Sequence, residues 1–350
     1  MLTCREHVHE HKRARLRLRG ILAALAASIV LSVFPASAQD FYKGKTLSIV
    51  VGYAVGGGYD QYARLLARHM ERYVPGNPSI VVVNMPGAAT LTALRHMDTN
   101  AAKDGTVIVL FDFFQIGNSL LAPEKVNTDF RKYQWIGSIS EDLSVCYIWH
   151  TIAANSVEDL RKGQQIHMGL TAAGTMNEVR QKILKNMLGL NIRTVSGYKG
   201  SAEEKLAMER GELEGGCGGW SSVPPDWRRD GKVKTIVKLV PARAPDMPAN
   251  VPYVADLVSS SRDRQIIELL TQPAQLGKPI VASAAVPRDR IEVLQKAFDQ
   301  AVKDPQFIAE AEKMQLEVSP RSAAEAMKVL DDIYALPADI VQEAKRVISN

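Results

Sequence analysis

The sequence predicts an α/β protein whose chain divides into lobes. Apolar runs of strand length alternate with stretches of helical period, beginning with TLSIVVGY (46–53), SIVVVN (79–84) and TVIVLF (106–111). These runs lack polar alternation, which suits strands of a parallel sheet covered on both faces. Length is the third observation: 350 residues, or 350 − 38 = 312 after an expected N-terminal cleavage, exceed what one hydrophobic core usually serves.

Residues 1–19 carry Arg5, Lys12, Arg13, Arg15, Arg17 and Arg19. The apolar stretch ILAALAASIVLSVF (21–34) follows, then the small residues Ala36-Ser37-Ala38. This is the pattern of a secretory signal peptide cleaved after Ala38, with an apolar stretch too short to span a membrane. Removing 1–38 takes away six basic and two acidic residues, leaving 43 − 6 = 37 basic and 38 − 2 = 36 acidic, a net of +1. No basic field remains to argue for nucleic acid. Cys146 and Cys217 survive cleavage; export permits a disulfide, and the sequence leaves open whether they pair.

Along the mature chain, the first strand runs into Gly56-Gly57-Gly58, and Asp60 is expected to cap a helix. Tyr62, Leu65, Leu66, His69, Met70 and Tyr73 share one face of that helix, which Pro75-Gly76-Asn77-Pro78 ends. Pro86-Gly87 turns out of the second strand into a helix around 90–99. This β-α-β-α-β series is the mark of an α/β sheet with right-handed crossovers. A second series begins with SVCYIWH (144–150), a short helix at 156–163 and QIHMGL (165–170). Thr175 and Glu178 have capping-box spacing and set a helix start at 175. TVSGYKGS (194–201) precedes a helix through AEEKLAMERG (202–211), and ELEGGCGG (212–219) and VKTIVKLV (233–240) read as strands. The proline-rich 241–254 is a return link, and the C-terminal third is mainly helical.

Several function classes are excluded by spacing. A dinucleotide fingerprint needs a third glycine where Gln61 stands, and Gly44-Lys45-Thr46 precedes its strand instead of following it as a phosphate loop would. His69, His96, His150 and His167 form no metal spacing, and no G-x-S-x-G is present. Cys217 lacks the directly following aromatic residue of a cysteine-protease signature, and Glu141-Asp142 reads as a solvated turn. No catalytic residue, metal or cofactor is expected.

The motif A-x-G-G-G-x-D (54–60), with Ala63-Arg64-Leu65-Leu66 behind it, resembles the start of the extracytoplasmic receptors of tripartite tricarboxylate transporters, the Bug receptors. The likeness continues at Asn84-Met85-Pro86-Gly87-Ala88, Asp104-Gly105, Gly169 to Thr175, Tyr198-Lys199-Gly200-Ser201-Ala202, Val286-Pro287 and Asp304-Pro305, covering about 41–345. The resemblance implies a type II periplasmic-binding-protein fold: two lobes, each a doubly wound sheet flanked by helices, joined by a hinge. Lobe 1 would comprise 41–142 plus 245–350, with C-terminal helices free to pack on lobe 2, and lobe 2 would comprise 143–244. It implies a periplasmic, non-enzymatic and monomeric receptor that delivers a small carboxylate to a large and a small membrane permease subunit. A receptor of an ATP-driven importer, a ligand-sensing subunit of a membrane kinase and, last, an exported hydrolase are the alternatives.

Site residues follow from loops at strand-to-helix junctions, where open α/β sheets place ligands. Val55, Gly56, Gly57, Gly58 and Asp60 come first, since glycine amides and a helix dipole favour an oxyanion. Pro86 to Thr90 comes second, with Gly87, Ala88 and Thr90 named as contacts alongside Thr92. Ala173, Gly174, Thr175 and Asn177 come third, expected to face the first loop from the other lobe, and Tyr198 closes over the ligand. The chain departs from the family at Gly52-Tyr53, where Pro-Phe is usual, at Tyr59, where a hydroxyl residue is usual, and at Ala89-Thr90, where a glycine pair is usual. Gly218 stands where an aspartate is frequent. Tyr53, Tyr59, Phe113 and Phe114 hint at a less polar acid.

Overall fold

The computed structural model describes residues 41–163 and 165–349; the expected signal segment and cleavage site lie outside the described residues. Among these, the strands are β1 (Thr46–Val51), β2 (Ser79–Asn84), β3 (Val107–Leu110), β4 (Gln134–Ser138), β5 (Ser144–Trp149), β6 (Ile166–Leu170), β7 (Ile192–Ser196), β8 (Gly215–Gly219), β9 (Val233–Lys238), β10 (Pro279–Ala282) and β11 (Arg321–Ser322). The helices are α1 (Gly58–Met70), α2 (Leu91–Thr99), α3 (Phe114–Leu121), α4 (Val157–Lys162), α5 (Met176–Lys182), α6 (Ser201–Glu209), α7 (Pro225–Arg229), α8 (Ser261–Thr271), α9 (Arg288–Ala301), α10 (Pro305–Lys313), α11 (Ala323–Tyr334) and α12 (Ala338–Ser349).

Two sheets form, in the orders β11-β4-β10-β3-β1-β2 and β7-β6-β8-β5-β9. The β1, β2 and β3 runs pair in parallel, with Thr46 opposite Ser79 and Ser48 opposite Val107. Their crossover helices cover the sheet: Tyr62, Leu65, Leu66 and Met70 of α1 are fully buried, as the 3.6-residue period requires. β10 extends this sheet antiparallel to β3, and β4, antiparallel to β10, runs in the direction of β1–β3 again. Both were missed in the sequence because QWIGS and PIVA are short and lack turn residues on both sides. The second sheet is mixed: β6 runs parallel to β7 and β8, while β5 runs antiparallel to β8 and β9. Cys146 and Cys217 lie opposite one another on β5 and β8, with Cα atoms 4.1 Å apart, and form a disulfide.

The chain passes between the sheets at 139–143 and again at 239–278. These passages touch. The Asp142 amide donates to the Ala274 carbonyl at 2.8 Å. A Cβ on Gly277 would lie 2.3 Å from the Asp142 nitrogen, so glycine is required for the approach. The expected solvated turn at Glu141-Asp142 is therefore wrong: Asp142 is 5 % exposed, and Glu141 pairs with Arg321. The C-terminal helix α12 packs beside the second sheet's helices, with Ile340 and Ala344 in one apolar cluster with Val179 and Ile183. Lys182 donates to the Ile348 carbonyl there, and Asn186 donates to that of Val347 at 2.6 Å. No helix among the described residues is long and apolar enough to cross a membrane.

Candidate functional site

A cavity with about 80 Å³ open to the centre of a water-sized sphere lies between the two sheets. Its wall gathers the segments after the C-terminal ends of β1, β3, β6 and β7, where open α/β sheets place ligands. One water needs about 10–15 Å³ of such space, so the cavity is sized for a molecule of a few carbon atoms.

The glycine loop builds one side. Helix α1 begins at Gly58 with Gly57 as N-cap, two residues earlier than the expected start at Asp60. Asp60 sits in the first turn and reaches back. Its Oδ2 accepts from the Gly56 amide at 2.9 Å, and it also holds Arg64 and Asn84. Burial works against its charge, yet these donors hold its carboxyl below the usual carboxylate range. Asp60 is thus an organiser of the loop, buried and off the cavity wall, and it occupies the Gly56 amide. Gly57 and Gly58 line the cavity, and first-turn amides have no intrahelical partner.

Gly200 and Ser201, at the start of α6, face this loop from the other sheet. A Cβ on Gly57 would meet Ser201 Oγ at 3.3 Å, one on Gly58 would meet Ser222 Cβ at 3.5 Å, and one on Gly56 would meet Ala202 Cβ at 3.8 Å. Two helix N-termini from different sheets therefore point at one small space. Each carries roughly half a positive charge.

The expected partner of the glycine loop, 173–177, mostly lies elsewhere. The Gly174 carbonyl accepts from Asn118 at 2.5 Å and from Gln115 at 3.0 Å, latching the loop to α3. Thr175 is the N-cap of α5, but its hydroxyl donates to the Ala172 carbonyl, so the capping box does not form. Glu178 instead accepts from the Gly174 amide at 2.7 Å. Asn177 does line the cavity. Tyr198 packs in the apolar cluster of Trp220 and Val145, away from the wall.

The second predicted loop also stays off the wall. Ala88, Ala89 and Thr90 all have positive φ (45°, 53° and 73°), a left-handed turn that costs non-glycine residues about 1–2 kcal/mol each. A Cβ on residue 52 would lie 2.4 Å from Thr90 Cβ, so Gly52 makes room for the Thr90 side chain. Thr90 Oγ1 then accepts from the Asp112 amide at 3.1 Å. Gly87, Ala88 and Thr90 act as scaffolding behind Asp112, and Val55 points outward, 64 % exposed.

Tyr53 and Tyr59 line the cavity with ring centroids 4.8 Å apart, beside Phe113. The Tyr53 hydroxyl donates to Asp112 Oδ2 at 2.5 Å, and the Phe114 amide donates to Oδ1 at 2.8 Å. Burial pushes the Asp112 carboxyl up against these donors.

Sequence reasoning missed the charged part of the wall: Asp112, Asp142, Arg180, Glu204 and Lys278. Arg180 donates to Asp142 at 2.5 Å and to Ser144 at 2.7 Å. Lys278 lies 3.4 Å from Asp142 and stacks over the Tyr59 and Tyr62 rings at 4.9 and 5.2 Å. Burial opposes the Asp142 charge, but Arg180 and Lys278 hold its carboxyl below the usual range. Burial pushes the Glu204 carboxyl up to about 7. Asp112 was visible as a lone carboxylate between Phe111 and Phe113. Arg180 was visible as a charge on the Met176 and Ile183 side of α5.

A larger groove, about 880 Å³, lies behind the passages between α8 and the start of α12. Its Arg262 is held by Asp339 and Glu343. It lacks the converging strand ends that define the smaller cavity.

With this geometry in hand, solved structures match across most of the chain. The periplasmic binding protein BugD superposes with a TM-score of 0.69 at 20 % identity, covering 88 % of this chain and 97 % of its own. The fold is that of the type II periplasmic binding proteins. MatC from Rhodopseudomonas palustris with bound malate matches at TM-score 0.69 and 17 % identity, covering 87 % and 99 %. A second R. palustris protein, with adipate, matches at 0.67 and 15 %, covering 87 % and 98 %. In sequence, a UPF0065 protein of Agrobacterium vitis, from the TAR-I ttuE-ttuC' intergenic region, is 23 % identical over 302 residues, 85 % of this chain and 82 % of its own. No protein-family model matches. The chain resembles the receptors of tripartite tricarboxylate transporters in sequence and in fold.

Proposed function

We propose that this protein is a periplasmic receptor of the tripartite tricarboxylate transporter family that binds a small carboxylate between its lobes and releases it unchanged. The observation that carries the reading is the convergence of two helix N-termini, α1 at Gly57-Gly58 and α6 at Gly200-Ser201, on one cavity. A carboxylate there takes amide donors from one lobe and the Ser201 hydroxyl from the other, so binding and closure are one event. The site residues are Tyr53, Gly57, Gly58, Tyr59 and Asn177 from the expected set, joined by Ser201, Ser222 and Glu204.

The lobes are 41–142 with 245–350, and 143–244, with α8 and α12 packed against the second. The hinge lies within passages 139–143 and 239–278, where Asp142 meets Ala274 and Gly277. Closure presents one joined surface to a permease of a large and a small membrane subunit. The similar folds of the periplasmic binding protein BugD, of MatC with bound malate and of the R. palustris protein with adipate support this reading. The carboxylates in the cavity wall are engaged by Arg180, Lys278, Tyr53 and Asn177, which suits a receptor that leaves its solute unchanged.

Thermal-shift screening with small acids tests the reading. A ligand at 100 times its dissociation constant stabilises by about 2.7 kcal/mol. Raised midpoints with acids, and none with sugars or with amines lacking a carboxylate, are expected. The reverse pattern refutes the proposal.

A further inference from the structure

We propose that Glu204 recognises a protonated amino group on the solute, which makes the ligand a small amino acid. The inference rests on the carboxylate-receptor reading and narrows it. The cavity wall carries two cations, Arg180 and Lys278, and three carboxylates, Asp112, Asp142 and Glu204, so with all ionised the balance is 2 − 3 = −1. Both cations are already engaged by Asp142. One ligand carboxylate is served by the two helix N-termini. A second carboxylate finds no free cation and meets Asp112 and Glu204 instead. An ammonium group meets the charge it needs.

The spacing fits. Ser201 and Glu204 stand three residues apart on α6, which places their Cβ atoms about 5–6 Å apart on one helix face. An amino acid with its carboxylate at Ser201 thus has its ammonium within reach of Glu204. Glu204 is 8 % exposed and takes one hydrogen bond, from Asn177 to Oε1 at 3.1 Å. Thr171 Oγ1, buried on the same wall, has no hydrogen-bond partner. Buried polar groups are nearly always paired, so both point to a ligand with polar groups to spare.

The titration of Glu204 supplies an independent sign. Lys205 on its own helix, Arg180 and Asn177 on α5, Tyr147 on β5 and Tyr198 are the charged, titratable or donor groups around it. Burial raises its carboxyl to about 7, so it gains charge between pH 6 and 8. Pairing with an ammonium therefore tightens as pH rises through that window. A second carboxylate placed there would bind more weakly as pH rises.

Calorimetric titration with two matched pairs, alanine against lactate and aspartate against malate, tests the proposal, because each pair exchanges an ammonium for a hydroxyl. The expected result is tighter binding of the amino acid by about 10- to 100-fold, the range of a hydrogen bond to a charged group. Glu204→Gln should remove that preference, bringing the two members of each pair to within about 3-fold of one another. Affinity of the unmodified protein for the amino acid should rise from pH 6 to 8, a readout that does not depend on the variant folding. Tighter binding of lactate and malate, or an amino-acid affinity that falls over that window, overturns the proposal while the carboxylate reading stands. Binding of neither pair, with binding of sugars or simple amines, overturns both.

Discussion

Asp142 joins the hinge to the cavity, and replacing it by asparagine should weaken the first and change what the second binds. The carboxylate is 5 % exposed and neutralises Arg180 at 2.5 Å and Lys278 at 3.4 Å. Asp142→Asn keeps the shape but leaves two buried cations without a counter-charge, which costs about 3–5 kcal/mol in comparable buried pairs. The compact unit Tyr42–Asn350 has 350 − 42 + 1 = 309 residues. At about 2.1 cal/mol/K per residue its unfolding entropy is about 0.65 kcal/mol/K, so the melting midpoint should fall by about 5–8 °C. The pH dependence has a definite sign. The Asp142 carboxyl lies below its unfolded value, so its stabilisation is present above the unfolded pKa and is lost as pH falls through the folded one. The variant should therefore lie closest to the unmodified protein in acid and furthest from it near pH 7. The same change raises the balance of the cavity wall from −1 to 0 and frees two cations, so dicarboxylate affinity should rise. Scanning calorimetry between pH 3 and 7, with malate titrations alongside, measures both effects. A midpoint shift under 2 °C at pH 7 would refute the view that this ion cluster holds the hinge.

Three further outcomes are expected. Gly57→Val drives a side chain toward Ser201 Oγ, 3.3 Å from where a Cβ would stand, and should weaken ligand binding at least about 10-fold while circular dichroism stays native; unchanged affinity removes the loop from the site. Ala89→Gly relieves a residue at φ 53° and should stabilise by about 0.5–1 kcal/mol in urea titrations, where no gain or a loss contradicts the strain assigned to that turn. Reducing Cys146–Cys217, which are 71 residues apart, removes a loop constraint worth about 4 kcal/mol and should lower the urea midpoint; an unchanged midpoint means the bond does not constrain the unfolded chain.

What the sequence revealed was local. The buried parallel strands β1, β2 and β3 were legible because continuous valine and isoleucine runs sit between turn residues, and α1 because its apolar period is strict. The glycine loop was legible because its signal fits within seven residues. Strands β4 and β10 were not, since their neighbours in the sheet are far apart in the chain. The charged wall was hidden for the same reason: Glu204 on α6 reads as one more solvated helix carboxylate, and Asp142 as part of a polar turn, until the lobes fold around them. The loop opposite the glycines was misplaced because the strand-to-helix junctions at 171–176 and 197–201 look alike in sequence. Only the fold shows that 200–201 meets Gly57 while 174 is latched to Gln115 and Asn118.

The most direct measurement is a crystal structure with a bound small acid identified by calorimetry. The account predicts a carboxylate within about 3 Å of the Gly57 and Gly58 amides and of Ser201 Oγ, with the molecule chemically intact. Density in the large groove beside Arg262, or a converted product in the cavity, would contradict it.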